Sequence, residues 1–328
     1  MSAEDCFISV LICSKGRSIS EVVPHLIQIK ESLDYPKSEV ILVDGNEDQA
    51  LKKVAETIGL NYVFEPRTGI AIARNSAIEA SRGDIVAFTD DDCIITVDWT
   101  KRIAEHFMSD RELDGLGGVD LTPKTASPRQ KVMGIMDDLP RSSGRGLWAA
   151  YRMKNCNCAY RKASIVKYGK YDPSFISAGE DYELNLRLYE CGCNLAFDSS
   201  LAVYHERISS FVNCWSKFYS YGYWSFEVFS KHPGQFLKTV DVLPQIVIYA
   251  GIACLFLLFP LGPIPLALLF GLVAGYLGFW TLRCLRAKKE LVKYAFHIFL
   301  ALVIRNLAQG LGFHHGCLSM IRRKIARS

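Results

Sequence analysis

Several signatures of common protein classes are missing from this 328-residue chain. No GxGxxG follows the first apolar run, which argues against a dinucleotide dehydrogenase, and no GxxxxGK(S/T) occurs, which excludes a P-loop. The opening MSAEDC has neither a basic start nor an apolar core, so no secretory leader is read. The eleven cysteines are therefore expected to be reduced in a cytosolic setting. Two Cys-x-Cys pairs, Cys156/Cys158 and Cys191/Cys193, are too tightly spaced for usual structural zinc and read as small buried side chains. Acids are nearly absent from the end of the chain. Residues 243–328 hold ten Lys/Arg and one acid, Glu290, a net +9, whereas residues 1–242 hold 28 Lys/Arg against 33 Asp/Glu, a net −5. The whole-chain charge of +4 describes neither part, and it gives no reason to expect a nucleic-acid partner.

Between Asp241 and Arg283 there is no charged residue for 41 positions. A helix of that length would measure about 60 Å, twice the roughly 30 Å hydrocarbon core of a bilayer. The run is broken by PLGPIP at Pro260–Pro265, so two spans are expected, near residues 243–259 and 264–282. The basic stretch RCLRAKKELVK and the tail RRKIAR belong on the cytoplasmic face by the positive-inside rule, beside anionic headgroups. A third apolar stretch, Tyr294–Phe313, carries Arg305, Asn306 and Gln309 and is expected to be interfacial or re-entrant. Phe211–Phe229 is dense in aromatics and reads as an amphipathic interfacial helix within a 209–242 linker. The expectation is a multi-pass membrane protein with its catalytic domain, residues 1–208, in the cytoplasm and a membrane domain over 243–328.

The first 120 residues alternate short apolar runs with helix-length stretches. Phe7–Cys13, Glu39–Asp44, Asn61–Glu65 and Asp84–Asp90 read as strands. They are continuously apolar, as expected where both faces are covered. Ser18–Leu33, Gln49–Ile58 and Ile70–Ser81 read as helices between them. This is an α/β pattern with a mostly parallel sheet, whose ligands bind beyond the carboxyl ends of the strands. The acids fall there: Asp44 ends one strand, and another runs into Asp90, Asp91 and Asp92. Three adjacent aspartates ending a buried strand are costly without a cation. On an extended chain Asp90 and Asp92 face one side and Asp91 the other. All-oxygen ligation suits Mg²⁺ or Mn²⁺ completed by phosphate oxygens.

ISVLIC, EVILVDG, GIAIARNSAIEASRGDIVAFTDDDC and GEDYELNLRLYECG, in that order, resemble the successive motifs of the family 2 glycosyltransferases. The likeness covers about residues 6–206 and implies a GT-A nucleotide-sugar-binding fold. YSYGYWSFEVFSKHP and LAQGLGF resemble the membrane-anchored branch that includes succinoglycan-type sugar transferases. The resemblance implies roles position by position. Cys13 and Ser14 line the base pocket through backbone contacts, and Asp44 accepts from the base or ribose. Arg74 lies near the nucleotide and Asp91 toward the ribose, while Asp90 and Asp92 are the metal-binding DxD pair. His205, ending the apolar run LAVYH, is a third ligand or phosphate partner. Asp181 is the general base and Glu180 positions the acceptor. Many relatives carry two acids at positions 44–45; here the pair is Asp44-Gly45.

Read on residue types alone, Arg74 would be a surface charge pairing Glu79 or Asp84, Asp181 a helix cap and His205 a structural residue. Taken with the motifs, the expected reaction is an inverting transfer of one sugar from a nucleotide-sugar donor. Its acceptor is expected to be a hydroxyl of a lipid-linked, polyprenyl-type saccharide, with membrane lipids as further partners. A polyprenyl-phosphate sugar synthase is the rival, although an anionic phosphate acceptor needs no base. Processive synthases usually show QxxRW where this chain reads SYGYW (Ser220–Trp224), so single addition is favoured. An inactive scaffold and a nucleotidyltransferase are the remaining alternatives.

Overall fold

The computed structural model describes residues 6–139, 141–238 and 264–326. The expected first span, near residues 243–259, lies outside them. The chain forms two compact units, one reaching to Pro123 and resuming over Arg141–Glu206, the other comprising Lys124–Pro140 with Arg207 onward.

In the first unit, β1 (Ile8–Ser14), β2 (Ser38–Asp44), β3 (Asn61–Phe64) and β4 (Ile85–Phe88) alternate with α1 (Ile19–Glu31), α2 (Leu51–Thr57) and α3 (Ile70–Ala80). Every expected strand and helix in this stretch forms, within a few residues at each end. Then come β5 (Cys93–Ile95), α4 (Trp99–Ser109), β6 (Leu113–Leu121), β7 (Gly144–Arg145) and α6 (Leu147–Ala150). β8 (Cys158–Arg161), α7 (Lys162–Lys167), α8 (Glu180–Glu190) and β9 (Asn194–His205) complete the unit. The sheet runs β3-β2-β1-β4-β8-β6-β9-β5, with β7 paired to β9.

The expectation of a mostly parallel sheet needs correction, because the sheet is mixed. β1, β2, β3 and β4 pair in parallel, as crossover helices require. β8, however, enters between β4 and β6 antiparallel to both, and β5 and β7 run antiparallel to β9. The βαβ rhythm governs the chain up to β4. Beyond it the pairing is mixed: β6 and β9 run parallel, while β5, β7 and β8 run against their neighbours.

Alternation along β1 explains its continuous apolar run. Ile8, Val10 and Ile12 face one core with Val22, Leu26, Ile29 and Trp99, while Leu11 faces another with Ile41, Phe88, Leu184 and Leu188. These side chains are almost wholly buried, each contributing about 1.5–3 kcal/mol.

In the second unit, α5 (Pro128–Gly134) brings Val132 into a cluster with Leu277, Leu291, Ile298 and Leu302. α9 spans Phe211–Lys231, α10 Ile264–Ala287 and α11 Ala295–Ile325. α10 covers the expected second span. The third apolar stretch is not interrupted: α11 is one 31-residue helix running well past Phe313. Asn306 donates to Leu302 O at 2.7 Å, within its own helix, and the Arg305 guanidinium lies 5.0 Å from the Phe218 ring on α9. Together with the preceding 3₁₀ turn, Lys289–Ile325 is the one helix among the described residues long and apolar enough to cross a membrane.

α9 and α11 meet at glycines. A Cβ on Gly222 would lie 2.0 Å from Gln309 O, and one on Gly312 2.0 Å from Tyr219 O. Gly312 and Gly316 form a GxxxG pair, the small-residue spacing that lets helix backbones approach closely. Phe226 stacks edge-on against Phe313, and Tyr219 Oη hydrogen-bonds His315 Nδ1 at 2.9 Å.

Candidate active site

The parallel strands deliver their carboxyl ends to one edge of the sheet, where Ser14 of β1 stands opposite Asp44 of β2. After β4 the chain turns rather than extending: Cys93 N donates to Asp90 O at 3.1 Å. The three aspartates still diverge. Asp91 swings back to accept from Ser14 Oγ at 2.5 Å. Asp90 and Asp92 turn toward His205, which the antiparallel pairing of Cys93 with His205 sets beside them.

Ligand atoms of Asp90, Asp92, Cys93 and His205 all lie within 4.8 Å of one another. Asp92 Oδ1 is buried, 3.2 Å from His205 Nε2, without a hydrogen bond of good geometry. Asp92 Oδ2 accepts from Arg17 Nη1 at 2.6 Å. Two carboxylates and an imidazole, one oxygen lacking a hydrogen bond, are donors that fit a divalent cation such as Mn²⁺ or Mg²⁺. The charged groups here answer one another. Burial raises Asp90 against the opposing pull of Arg74 and His205. Burial also pushes Asp91 up to about 6, against its Ser14 hydrogen bond. For Asp92, burial is outweighed by His205 and Arg17, which hold its carboxyl well below the usual range. In the same way, Asp92 and Cys156 outweigh burial at His205 and raise it.

A cavity of about 460 Å³ opens beside these groups, within the size range of small-molecule sites. Cys13, Ser14, Arg74, Asp90, Asp91, Asp92 and His205 line it, together with Lys15, Gly45, Glu65, Arg67 and Ile176. Burial, against the pull of Arg74, pushes the Cys13 thiol up to about 12, so it is an inert wall rather than a nucleophile.

Three expected site residues are not among the lining groups. Asp44 is fully buried, accepting from Asn46 N and Nδ2 at 2.9 Å and from Tyr62 Oη at 3.0 Å. Glu180 is buried behind Arg74, with its Oε1 taken by the Arg74 guanidinium and by Asn155 Nδ2 at 3.2 Å. Asp181 is half-buried on the first turn of α8, where Asn155 N approaches its Oδ2 at 3.4 Å. Its charge nevertheless acts on Asp90. Gly179, the residue before this pair, sits at φ 85°, a left-handed conformation that glycine adopts without strain. Arg74 is not a surface charge: it is 7% exposed, and Glu79 pairs instead with Lys170.

Sequence reading missed Arg17, Asn155, Tyr171 and Asp120. Asp120, near the end of β6, is buried, holds Arg141 and Lys154 at 3.3 and 3.2 Å and lies 4.0 Å from His205 Nδ1. Its signal was available, since GLGGVD is another apolar run ending on an acid. The Cys-x-Cys partners do not share a cluster among the described residues; Cys156, Cys158 and Cys193 are buried and Cys191 is exposed.

Comparisons with known proteins bear on the family and the fold. The family model for glycosyl transferase family 2 matches residues 9–165. The succinoglycan biosynthesis protein ExoM of Rhizobium meliloti is 26% identical over 226 residues, 63% of this chain and 69% of that protein. Glycosyltransferase AglE of Haloferax volcanii is 28% identical over 203 residues, 58% of this chain and 64% of that protein. Among solved structures, the mannosyltransferase PcManGT of Pyrobaculum calidifontis, in complex with GDP-Man and Mn²⁺, superposes with a TM-score of 0.60 at 17% identity. The match covers 92% of this chain and 87% of that one. GalNAc-T7, solved with UDP, GalNAc and Mn²⁺, gives 0.50 at 16% identity over 72% and 57%. At such identities the superpositions speak to the fold. The family match over residues 9–165, with two glycosyltransferase-type relatives and a GT-A fold, supports a family 2 glycosyltransferase domain in this chain.

Proposed function

We propose that the protein is a metal-dependent, inverting glycosyltransferase that moves one sugar from a nucleotide-sugar donor to a hydroxyl of a lipid-linked saccharide. The observation that carries this reading is the convergence of Asp90, Asp92 and His205 on one wall of the cavity, with Asp181 on the first turn of α8 next to Glu180, whose carboxylate holds the cavity-lining Arg74. Asp90, Asp92 and His205 would hold Mn²⁺ or Mg²⁺, which supplies Lewis-acid neutralisation of a departing diphosphate.

The chain's own groups do the remaining work. The walls around Cys13, Ser14 and Gly45 take the nucleoside, with Asp91 turned toward the ribose side by Ser14. Asp44, clamped by Asn46 and Tyr62, sets the shape of that end. Asp181 takes the proton from the acceptor hydroxyl as its oxygen forms a bond to the anomeric carbon, and the bond from that carbon to the diphosphate breaks on the opposite face. The product is inverted, and the proton remains on Asp181 until it is released to solvent.

Succinoglycan biosynthesis is what the name of ExoM describes, and AglE is named a glycosyltransferase, which supports the reaction class. The charge-free run 242–282, the helix Ile264–Ala287 that begins inside it and the basic stretches behind it support membrane attachment as a hairpin, with the catalytic domain cytoplasmic. Such an anchor favours a lipid-linked acceptor over a soluble one. Asp181→Asn is expected to bind donor nearly as wild type while turnover falls about 10²–10⁴-fold, read by donor titration and product mass. Near-normal turnover would remove Asp181 from the chemistry.

A further inference from the structure

The least expected feature of the site is a buried guanidinium. Arg74 projects from α3 into the space between β4 and the start of α8, at 7% exposure. A buried cation is tolerated only where carboxylates match it, and Arg74 has two. Its Nη1 is hydrogen-bonded to Glu180 Oε1, and its Nη2 lies 3.5 Å from Asp90 Oδ1. The Tyr171 ring packs against it at 5.9 Å.

These contacts continue into a closed network. Tyr171 Oη donates to Asn155 Oδ1 at 2.6 Å, and Asn155 Nδ2 donates to Glu180 Oε1 at 3.2 Å. The backbone N–H of Asn155 approaches Asp181 Oδ2 at 3.4 Å. One side of Arg74 thus touches a cation-binding carboxylate, and the other touches the residue preceding the proposed base.

We propose that Arg74 and Glu180 are positioning residues that couple the cation site to the helix carrying Asp181. This rests on the metal-dependent reading above. It differs from the expectation that Arg74 contacts the nucleotide and Glu180 the acceptor.

One guanidinium divides itself between two acids. With Glu180 ionised, Arg74 is drawn toward α8, and Asp90 keeps its charge available for a divalent cation. A cation arriving at Asp90 repels Arg74, which tightens its hold on Glu180 and fixes the first turn of α8. Cation loading therefore sets the base in place. Removing the charge of Glu180 should leave Arg74 leaning on Asp90, where it competes with the metal. Removing Arg74 should relieve Asp90 of that competitor, leaving His205 beside it.

The test is Mn²⁺ affinity, measured by electron paramagnetic resonance on the full-length protein without donor. Glu180→Gln keeps the acceptor oxygen for Asn155 and is expected to weaken Mn²⁺ binding about three- to tenfold. Arg74→Gln is expected to tighten it by a similar factor. In both, kcat should fall while donor affinity at saturating Mn²⁺ stays near wild type, and Arg74→Lys should restore part of kcat. If Arg74→Gln loses its folded circular-dichroism spectrum, Glu180→Gln alone decides the matter. A Glu180→Gln variant with wild-type Mn²⁺ affinity and only a raised acceptor KM would overturn the coupling and return Glu180 to direct acceptor contact. Weakened donor binding in Arg74→Gln at saturating metal would make Arg74 a nucleotide ligand and overturn it equally. Wild-type protein that binds no Mn²⁺ would bring down the metal reading and this proposal together, whereas unmoved variants of a metal-binding wild type sink this proposal alone.

Discussion

At the scale of single residues, the site is a set of strand-end acids whose charges are separately answered. Asp91 is answered by Ser14, Asp92 by Arg17 and His205, and Asp90 by Arg74. The acids themselves were legible because an apolar strand that stops on carboxylates is unusual. Their partners were not. Arg17 and Arg74 lie in helical or turn sequence where an arginine is ordinarily a surface charge, and only the fold reveals what faces them. The same holds for Glu65 on the cavity wall. Hydrogen bonds from Arg67, joined by Ser76, hold its carboxyl down at about 2, even though burial opposes them. A depressed carboxyl contributes stability that is present above its unfolded value near 4.5 and lost as the pH falls toward 2. Glu65→Gln is therefore expected to lower the thermal midpoint at neutral pH, with the gap from wild type closing between about pH 4.5 and pH 2. A gap that stays constant across that range would dissociate Glu65 from the acid response.

At the scale of elements, the N-terminal alternation was readable because both-face burial writes long apolar runs, as in β1 and β2. The later strands were harder. β6 is glycine-rich, and Gly115, Gly117 and Gly118 are crowded by Tyr160, Met153 and Asn157, so packing rather than β-propensity explains their small side chains. The aromatic stretch Phe211–Phe229 and the LAQGLGF motif were each noticed, but that they are partners was not, because glycine spacing on two separate helices only acquires meaning once they cross. The Gly222–Gln309 and Gly312–Tyr219 approaches leave no room for a side chain. Gly312→Leu or Gly222→Leu is expected to destabilise the second unit by about 1–3 kcal/mol, read as earlier thermal unfolding of the detergent-solubilised protein. The exposed Gly234, where nothing lies within 4 Å of an added Cβ, is the control that should tolerate alanine. Equal midpoints for Gly312→Leu and the control would refute tight packing at this crossing.

At the scale of the whole molecule, the charge division between residues 1–242 and 243–328 corresponds to two kinds of chemistry. Most of the acidic part folds into the unit that gathers Asp90, Asp92 and His205 at one edge of the sheet, whereas the described residues of the basic part, from Ile264 onward, are largely helical and expose apolar side chains such as Phe270, Phe296 and Ile325. The catalytic unit is interrupted by Lys124–Pro140, which packs with the C-terminal helices. A linear reading has no means of detecting such an excursion, since nothing in its composition marks it. It is expected to make the C-terminal unit dependent on α5. Replacing Val132 and Ile135 with alanine should each cost about 2–4 kcal/mol of that unit's stability, read by protease protection of the C-terminal fragment.

The central claim is metal-dependent transfer of a single sugar onto a saccharide hydroxyl of a lipid-linked acceptor. Its most direct test incubates the full-length protein with a panel of nucleotide sugars, Mn²⁺ and a native lipid extract, and reads the products by mass. One added sugar on a lipid-linked saccharide is expected, abolished by chelation and by Asp181→Asn. A sugar attached to lipid phosphate, or transfer that persists in the presence of chelator, would contradict it.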